Sequence, residues 1–425
     1  MRKIQEEIAE KLGMTISENS IDMRAARLRK RLGKENRVLI ILDDIWKFLD
    51  IGALGIPSAD QHKGCKILIT SRKLDVLNSM GSQKSLPIDV LKEDEAWNLF
   101  KDVAGPIAER SDLQSTAMKV AQKCAGLPLA ITTVSKALKH KENLSEWKDA
   151  LERLKPSEIN SEGITAEAYS AIEMSYRYLE REELKYTFLL CSIMDHDAAI
   201  EDLLKYCRGL GLFHRLDTIE KVRDRVLTLV NELIESSLLL AGSTSERFDM
   251  HDVVRDVAIS ITSRDLRWLA LGKEDVIEEW KDTMRNSHLV SLKYAKVSEL
   301  PDELECPDLT FFSTDDSVEV PDNFFKGMQR LNVLEFDGTN FTTLPFSLGF
   351  LKTLCTLRLI GCDVEDIAIL GELENLEILD LRCSGMKMLP KEIGQLTKLK
   401  LLDLSDCDDL EVIPPNVLSK LSKLE

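Results

Sequence analysis

Two short segments near the start of the chain deliver charged groups to the ends of apolar strands. In Arg37-Val38-Leu39-Ile40-Ile41-Leu42-Asp43-Asp44-Ile45-Trp46, five apolar residues lead into two acids. A continuous run of this kind suits a central parallel strand covered on both faces, and carboxylates at its C-terminal end fall where such sheets bind ligands. The second segment, Gly64-Cys65-Lys66-Ile67-Leu68-Ile69-Thr70-Ser71-Arg72, has the same form but ends in a guanidinium, which can read a terminal phosphate. Taken singly, neither is specific. Buried strands ending in aspartate are common, and such an arginine serves equally as a surface cap on a strand.

Further segments follow in order: Glu95-Ala96-Trp97-Asn98-Leu99-Phe100, then Cys124-Ala125-Gly126-Leu127-Pro128-Leu129-Ala130, then Phe248-Asp249-Met250-His251-Asp252-Val253-Val254. Together, in this order and spacing, they resemble the NB-ARC domain of plant nucleotide-binding leucine-rich-repeat disease-resistance proteins. Trp46 suggests the non-TIR, coiled-coil type, and the resemblance runs over nearly the whole chain. It implies that Asp43 helps hold Mg2+, that Asp44 is tied to hydrolysis and that Arg72 senses the terminal phosphate. It also implies that Leu127 and Pro128 pack against the nucleotide base and sugar and that His251 bonds the ADP phosphate. A lone histidine would read as a residue ending a helix or strand; within this motif His251 reads as a latch, its imidazole donating to a phosphate oxygen.

These residues need elements to hold them, and the last third of the chain shows its own organisation first. A pattern L-x-x-L-x-L recurs as Leu331, Leu334, Phe336; Leu354, Leu357, Leu359; Leu376, Leu379, Leu381; and Leu399, Leu402, Leu404, at spacings of 23, 22 and 23 residues. Weaker copies begin at Leu309 and Leu289. Each apolar strand face needs a neighbouring coil to cover it, so the units must stack into a solenoid. Thr339, Cys362, Ser384 and Cys407 fall where such repeats bond backbone at a turn. Leu-Pro pairs at 300–301, 344–345 and 389–390, with Ile413-Pro414, mark extended segments on the convex side. Glu335, Asp337, Arg358, Asp380, Arg382 and Asp403 are expected to line a concave recognition face.

Composition narrows the class. The 425 residues are 44% hydrophobic and 30% charged, enough for several cores, and carry a net charge of −17, which disfavours nucleic acid as a partner. The segment from Leu184 to Phe213 resembles the family's winged helix, but a shared fold does not confer DNA binding. Nine cysteines with no C-x-x-C pair argue for reduced, mostly buried thiols and against a disulfide framework or zinc site. No apolar run is long enough for a transmembrane segment, so a cytoplasmic protein is expected, with peripheral membrane association left open.

No stretch reads G-x-x-x-x-G-K-[ST]; Gly33-Lys34 and Gly272-Lys273 fail that pattern and read as surface turns. The chain is therefore expected to be a fragment, starting just before a helix over 4–12 and lacking its phosphate loop, and to end without a capping repeat. The fold expected is multi-domain α/β: an incomplete parallel-sheet P-loop NTPase-like domain (1–85), a helical domain (86–160), a winged helix (161–285) and an α/β leucine-rich-repeat solenoid (286–425). The resemblance implies an ADP/ATP switch of plant immunity, weakly ATPase-active in the family, that meets a pathogen effector or a guarded host protein through its repeats. Without the phosphate loop this chain is expected to show little or no ATPase activity and not to act as an enzyme. A P-loop ATPase recorded as a fragment and a repeat-only interaction scaffold are the alternatives.

Overall fold

The computed structural model describes residues 1–425 apart from 19, 59–60, 155–164, 214, 272–283, 294, 296, 298–299, 316–318, 342 and 365. The boundary at 160/161 and Gly272-Lys273 therefore lie outside the described residues. Two compact units emerge, Met1–Asp89 and Val90–Glu425.

In the first unit, helices α1 (Arg2–Lys11) and α2 (Ile21–Leu32) accompany the parallel pair β1 (Val38–Leu42) and β2 (Cys65–Ile69), with α3 (Ile51–Leu54) between the strands and α4 (Leu74–Ser79) after them. Ile40 and Leu42 point into a small core with Leu32, Leu54, Ile56 and Cys65. Leu39, Ile41 and Leu68 point the other way and are 64%, 59% and 51% exposed, so the expectation that β1 is covered on both faces is corrected. Gly33-Lys34 is the turn that ends α2, as its sequence suggested.

The second unit begins with helices α5 (Glu93–Ala104), α6 (Gln114–Lys123), α7 (Pro128–Leu138) and α8 (Leu144–Arg153), packed around Phe100, Val120, Val134 and Trp147. Next come α9 (Ala166–Arg177), α10 (Glu182–Cys191), β3 (Ala198–Ala199), α11 (Ile200–Gly209), α12 (Ile219–Glu235), β4 (Leu240–Ala241), β5 (Arg247–Asp249) and α13 (Asp252–Leu266). Strands β3, β5 and β4 form an antiparallel sheet in that order, and helices followed by this small sheet make the winged helix.

The repeats supply β6 (Trp268–Ala270), β7 (Leu289–Ser291), β8 (Phe311–Thr314), β9 (Val333–Asp337), β10 (Asn340–Phe341), β11 (Thr356–Ile360), β12 (Asp363–Val364), β13 (Ile378–Asp380) and β14 (Leu401–Asp403). Seven of them form one parallel sheet from β6 to β14, so the sheet starts one strand before the leucine pattern. Register follows the repeat: Leu334, Leu357, Leu379 and Leu402 pair in line, all turned into the solenoid core. At the turns, Cys362 Sγ approaches Phe336 O at 3.5 Å, Ser384 Oγ donates to Leu381 O at 2.7 Å and Cys407 Sγ to the same oxygen at 3.0 Å. Pro345 and Pro390 are extended and each precedes a 3-10 turn on the convex side. All nine cysteines are free thiols, six of them buried. Among the described residues no helix is long and apolar enough to cross a membrane.

Candidate functional site: nucleotide motifs and the sealed concave face

The predicted acids and arginine of the first unit come together at the C-terminal ends of β1 and β2. Thr70 donates its hydroxyl to Asp43 Oδ1 and accepts from the Asp44 backbone N–H at 2.8 Å, which ties the two strand ends. Asp44, at φ 48°, is held by three groups: that amide bond, Trp46 Nε1 at 2.9 Å and Arg72 Nε at 3.3 Å. Arg72 also lies over the Trp46 ring, its Cζ 4.8 Å from the centroid. The tryptophan thus fixes both the second acid and the arginine, a role its sequence position did not reveal. Paired with Asp44, the guanidinium is held at the strand ends with its charge partly offset.

In the second unit, Leu127 and Pro128 form the N-terminus of α7, with proline at the first helical position, where its missing N–H costs nothing. Leu127 is half-buried and Pro128 exposed. Their turn depends on Gly126: its φ is +70°, and a Cβ there would stand 2.3 Å from Leu91 O. His251 caps α13, its Nδ1 accepting from Val253 N–H at 3.1 Å. With Nδ1 accepting, the neutral ring of this exposed residue carries its proton on Nε2, which can donate. Both motifs therefore stand at helix N-termini, where free amides and the helix dipole favour an anion.

The largest departure from expectation lies on the repeats. Of the six residues assigned to an open concave face, Glu335, Arg358 and Asp380 are buried, and helix α11 covers them. Lys205 Nζ, fully buried, donates to Asp380 Oδ2 at 2.6 Å and Asp403 Oδ2 at 2.9 Å. Arg358 reaches Glu335 at 2.6 Å, Asp380 at 3.1 Å and, across the interface, Asp202 at 2.6 Å, while Arg382 takes the same Asp202 oxygen at 2.6 Å. Tyr206 donates to Glu335 Oε2 at 2.6 Å and Arg208 Nε to Glu377 at 2.6 Å. Phe311, Val333 and Ile378, also on the concave side, belong to the winged helix's own hydrophobic core. Lys205, Tyr206, Asp202, Arg208 and Lys293 were not found from sequence.

Burial of ionised groups is tolerated only when every charge is met. Burial pushes the Asp380 carboxyl up, but Arg358, Lys205 and Arg382 outweigh it and bring it down to about 2. Glu335 is likewise lowered overall, against its burial, by Arg358 and Lys293. Asp337 goes the other way, raised by burial and by the neighbouring Glu335. A lowered carboxyl binds its proton more weakly folded than unfolded, so the stability from Asp380 is complete above about pH 4 and is lost as the pH falls toward 2. The loss is on the order of 2 kcal/mol. Acid unfolding followed by near-ultraviolet circular dichroism is expected to show this decline, and Asp380→Asn to flatten it; an unchanged acid limb would contradict the assignment.

An NB-ARC-like domain joined to leucine-rich repeats is the class that these motifs and this solenoid point to. The NB-ARC domain family matches residues 1–110. Over the whole chain, 438 aligned residues are 34% identical to disease resistance protein At4g27190 of Arabidopsis thaliana, covering 44% of that protein. Disease resistance protein RPS5 of Arabidopsis thaliana is 30% identical over 461 residues, with 97% of this chain and 51% of the relative covered. Disease resistance protein UNI, from the same plant, is 30% identical over 421 residues, covering 95% and 47%. Residues 1–110 match the NB-ARC domain, and along nearly its whole length the chain is similar to plant disease-resistance proteins; it spans about half the length of the curated relatives it matches.

Proposed function

We propose that this chain is an ADP/ATP-dependent switch of plant innate immunity, with its winged helix closed against the repeats in the ADP form and released in the ATP form. Perception of a pathogen effector or a guarded host protein through the repeats would drive the release in the cytoplasm. The observation that carries this reading is the charge-sealed seat of α11 on the concave face. A helix holding Lys205 without any exposure between two acids is a contact with two clear states, seated or hydrated. A repeat-only scaffold would have its acidic concave residues open to a partner, and here they are covered.

The residues present suit a Mg2+ nucleotide in part. Asp43 and Asp44 provide carboxylates at strand ends, Arg72 a guanidinium, and α7 and α13 two helix N-termini. A bound nucleotide would supply the phosphate charge that these groups recognise. Asp43 would hold the metal, Arg72 would leave Asp44 for a terminal phosphate, Leu127 and Pro128 would pack on base and sugar, and His251 Nε2–H would donate to a phosphate oxygen. No G-x-x-x-x-G-K-[ST] loop stands among the 425 residues. Each charge-assisted hydrogen bond that such a loop adds is worth about 1.5–3 kcal/mol, so these 425 residues taken by themselves would hold the nucleotide weakly.

Calorimetric titration of the purified chain with ADP and Mg2+ tests this. Weak binding is expected, with His251→Ala and Asp43→Ala each lowering it roughly tenfold or more, the cost of one charge-assisted bond. No heat in a folded sample, or binding indifferent to both substitutions, would refute nucleotide control of this chain.

A further inference from the structure

The segment between α10 and β3, Ser192–Asp197, meets the repeats and the His251 turn through consecutive residues. Asp195 faces the repeats. Lys293 Nζ stands 3.5 Å from Asp195 Oδ2, 2.7 Å from Glu335 Oε1 and 3.3 Å from the Tyr206 hydroxyl. The next residue, His196, faces the latch: its Nδ1 is 3.1 Å from Asp249 Oδ1 and its Nε2 3.4 Å from Asp252 Oδ1, the two acids that flank Met250-His251.

Beneath the segment lies Arg255, on the first turn of α13. Its Nη1 donates to Ser192 O at 3.0 Å and to Met194 O. Its own backbone N–H donates to His251 O at 3.0 Å, closing the turn that sets the histidine. Arg255 Nε is buried and makes no hydrogen bond among the described residues, and Nη2 stops 4.0 Å from Asp249 Oδ1. The guanidinium therefore has two seats within reach: the loop carbonyls it occupies and the Asp249 carboxylate beside it.

We infer that Arg255 is a positioning residue for His251, and that Ser192–Asp197 transmits to it whether Lys293 and the repeats are seated. When Lys293 withdraws from Asp195, the loop loses one anchor on the repeat side and the Ser192 and Met194 carbonyls gain room to shift. Arg255 then turns to Asp249. That acid is drawn from the Met250 N–H it accepts at 2.7 Å, and the His251 turn moves with it. The purpose of the link rests on reading His251 as a nucleotide latch, but the link itself is measurable without nucleotide.

Amide hydrogen exchange in the purified chain, free of nucleotide, provides the test. Lys293→Met is expected to speed exchange at 253–255 about three- to tenfold, although it alters a residue in the repeats. Asp195→Asn, at a half-exposed position that leaves the fold intact, should act in the same direction. Arg255→Lys should also speed exchange there, because one amine cannot reproduce the planar fork that holds two carbonyls. Combining Arg255→Lys with Lys293→Met should add nothing further, since both break one chain of contacts. Unchanged exchange at 253–255 in Lys293→Met and Asp195→Asn, full additivity in the double variant, or an equal rise in α6 would each overturn the link. ADP calorimetry bears on the latch alone, so the two readings fail separately.

Discussion

Replacing Lys205 with methionine is expected to unseat α11 from the repeats at a cost of about 3–5 kcal/mol, the range for removing one partner of a buried ion pair. Methionine nearly preserves the volume of the stem, so the loss isolates the ammonium. Asp380 would keep Arg358 and Arg382, while Asp403 would lose its 2.9 Å contact and be left with the longer one to Arg382 at 3.5 Å. Denaturant unfolding should show the drop, with the winged helix and the repeats no longer melting together. Lys221→Met on α12 is the matched control, since that amine is 57% exposed and paired with the surface acid Asp217. Its change should stay below about 1 kcal/mol. Equal effects at both positions would remove Lys205 from its proposed role.

The second large effect is steric. Gly209 ends α11 where the helix lies against the sheet, and a Cβ there would stand 2.4 Å from Val333 Cγ2, 2.6 Å from Thr356 Oγ1 and 2.9 Å from Thr356 Cβ. Thr356 cannot turn aside freely, because its hydroxyl donates to Lys205 O at 3.2 Å. By helix propensity alone, a side chain other than glycine would be preferred by up to about 1 kcal/mol. Gly209→Val should nevertheless destabilise the seated form by about 3 kcal/mol, the upper part of the overpacking range. The variant should fold as a winged helix and as repeats while exposing Lys205. A variant as stable as the parent, with Lys205 still protected, would show that the close approach of helix and sheet is not what glycine serves there.

The two effects come from the feature that sequence reading missed, and the reason is physical. Leucine spacing at 331, 354, 376 and 399 fixes which side of each strand is buried by its neighbours, and the observed register follows it. The other side reads Glu335, Arg358, Asp380, Arg382, Asp403, and charges at such positions ordinarily face water. Covering them, and burying the first three, requires partners 129 to 198 residues earlier in the chain, and no local period reports that. A signal was available in α11 itself. Lys205 sits between Leu203-Leu204 and Tyr206-Cys207, within the apolar stretch of a helix whose polar residues Glu201, Asp202 and Arg208 lie outside it. A lysine within it calls for a buried acid.

The motif residues were more legible. Asp43, Asp44 and Arg72 do gather at strand ends, because strand ends are local events with local signatures, whereas the place of Leu127, Pro128 and His251 at helix N-termini was not read from the sequence. The supporting partners were not, since Thr70, Trp46 and Arg255 act by contacts whose geometry appears only once the strands and helices are placed. The apolar run of β1 misled for a related reason. Continuity predicts cover on both faces, yet cover depends on neighbours, and Leu39 and Ile41 have one face open.

The central claim is that the winged helix is seated on the repeats in solution, and native lysine acylation read by mass spectrometry tests it most directly. Lys205 has no exposed side-chain surface and Lys293 only 7%, against 57% for Lys221. The account predicts that Lys221 labels rapidly while Lys205 and Lys293 stay unlabelled until the chain unfolds or Gly209→Val is introduced. Labelling of Lys205 in the parent chain at the rate of Lys221 would contradict it.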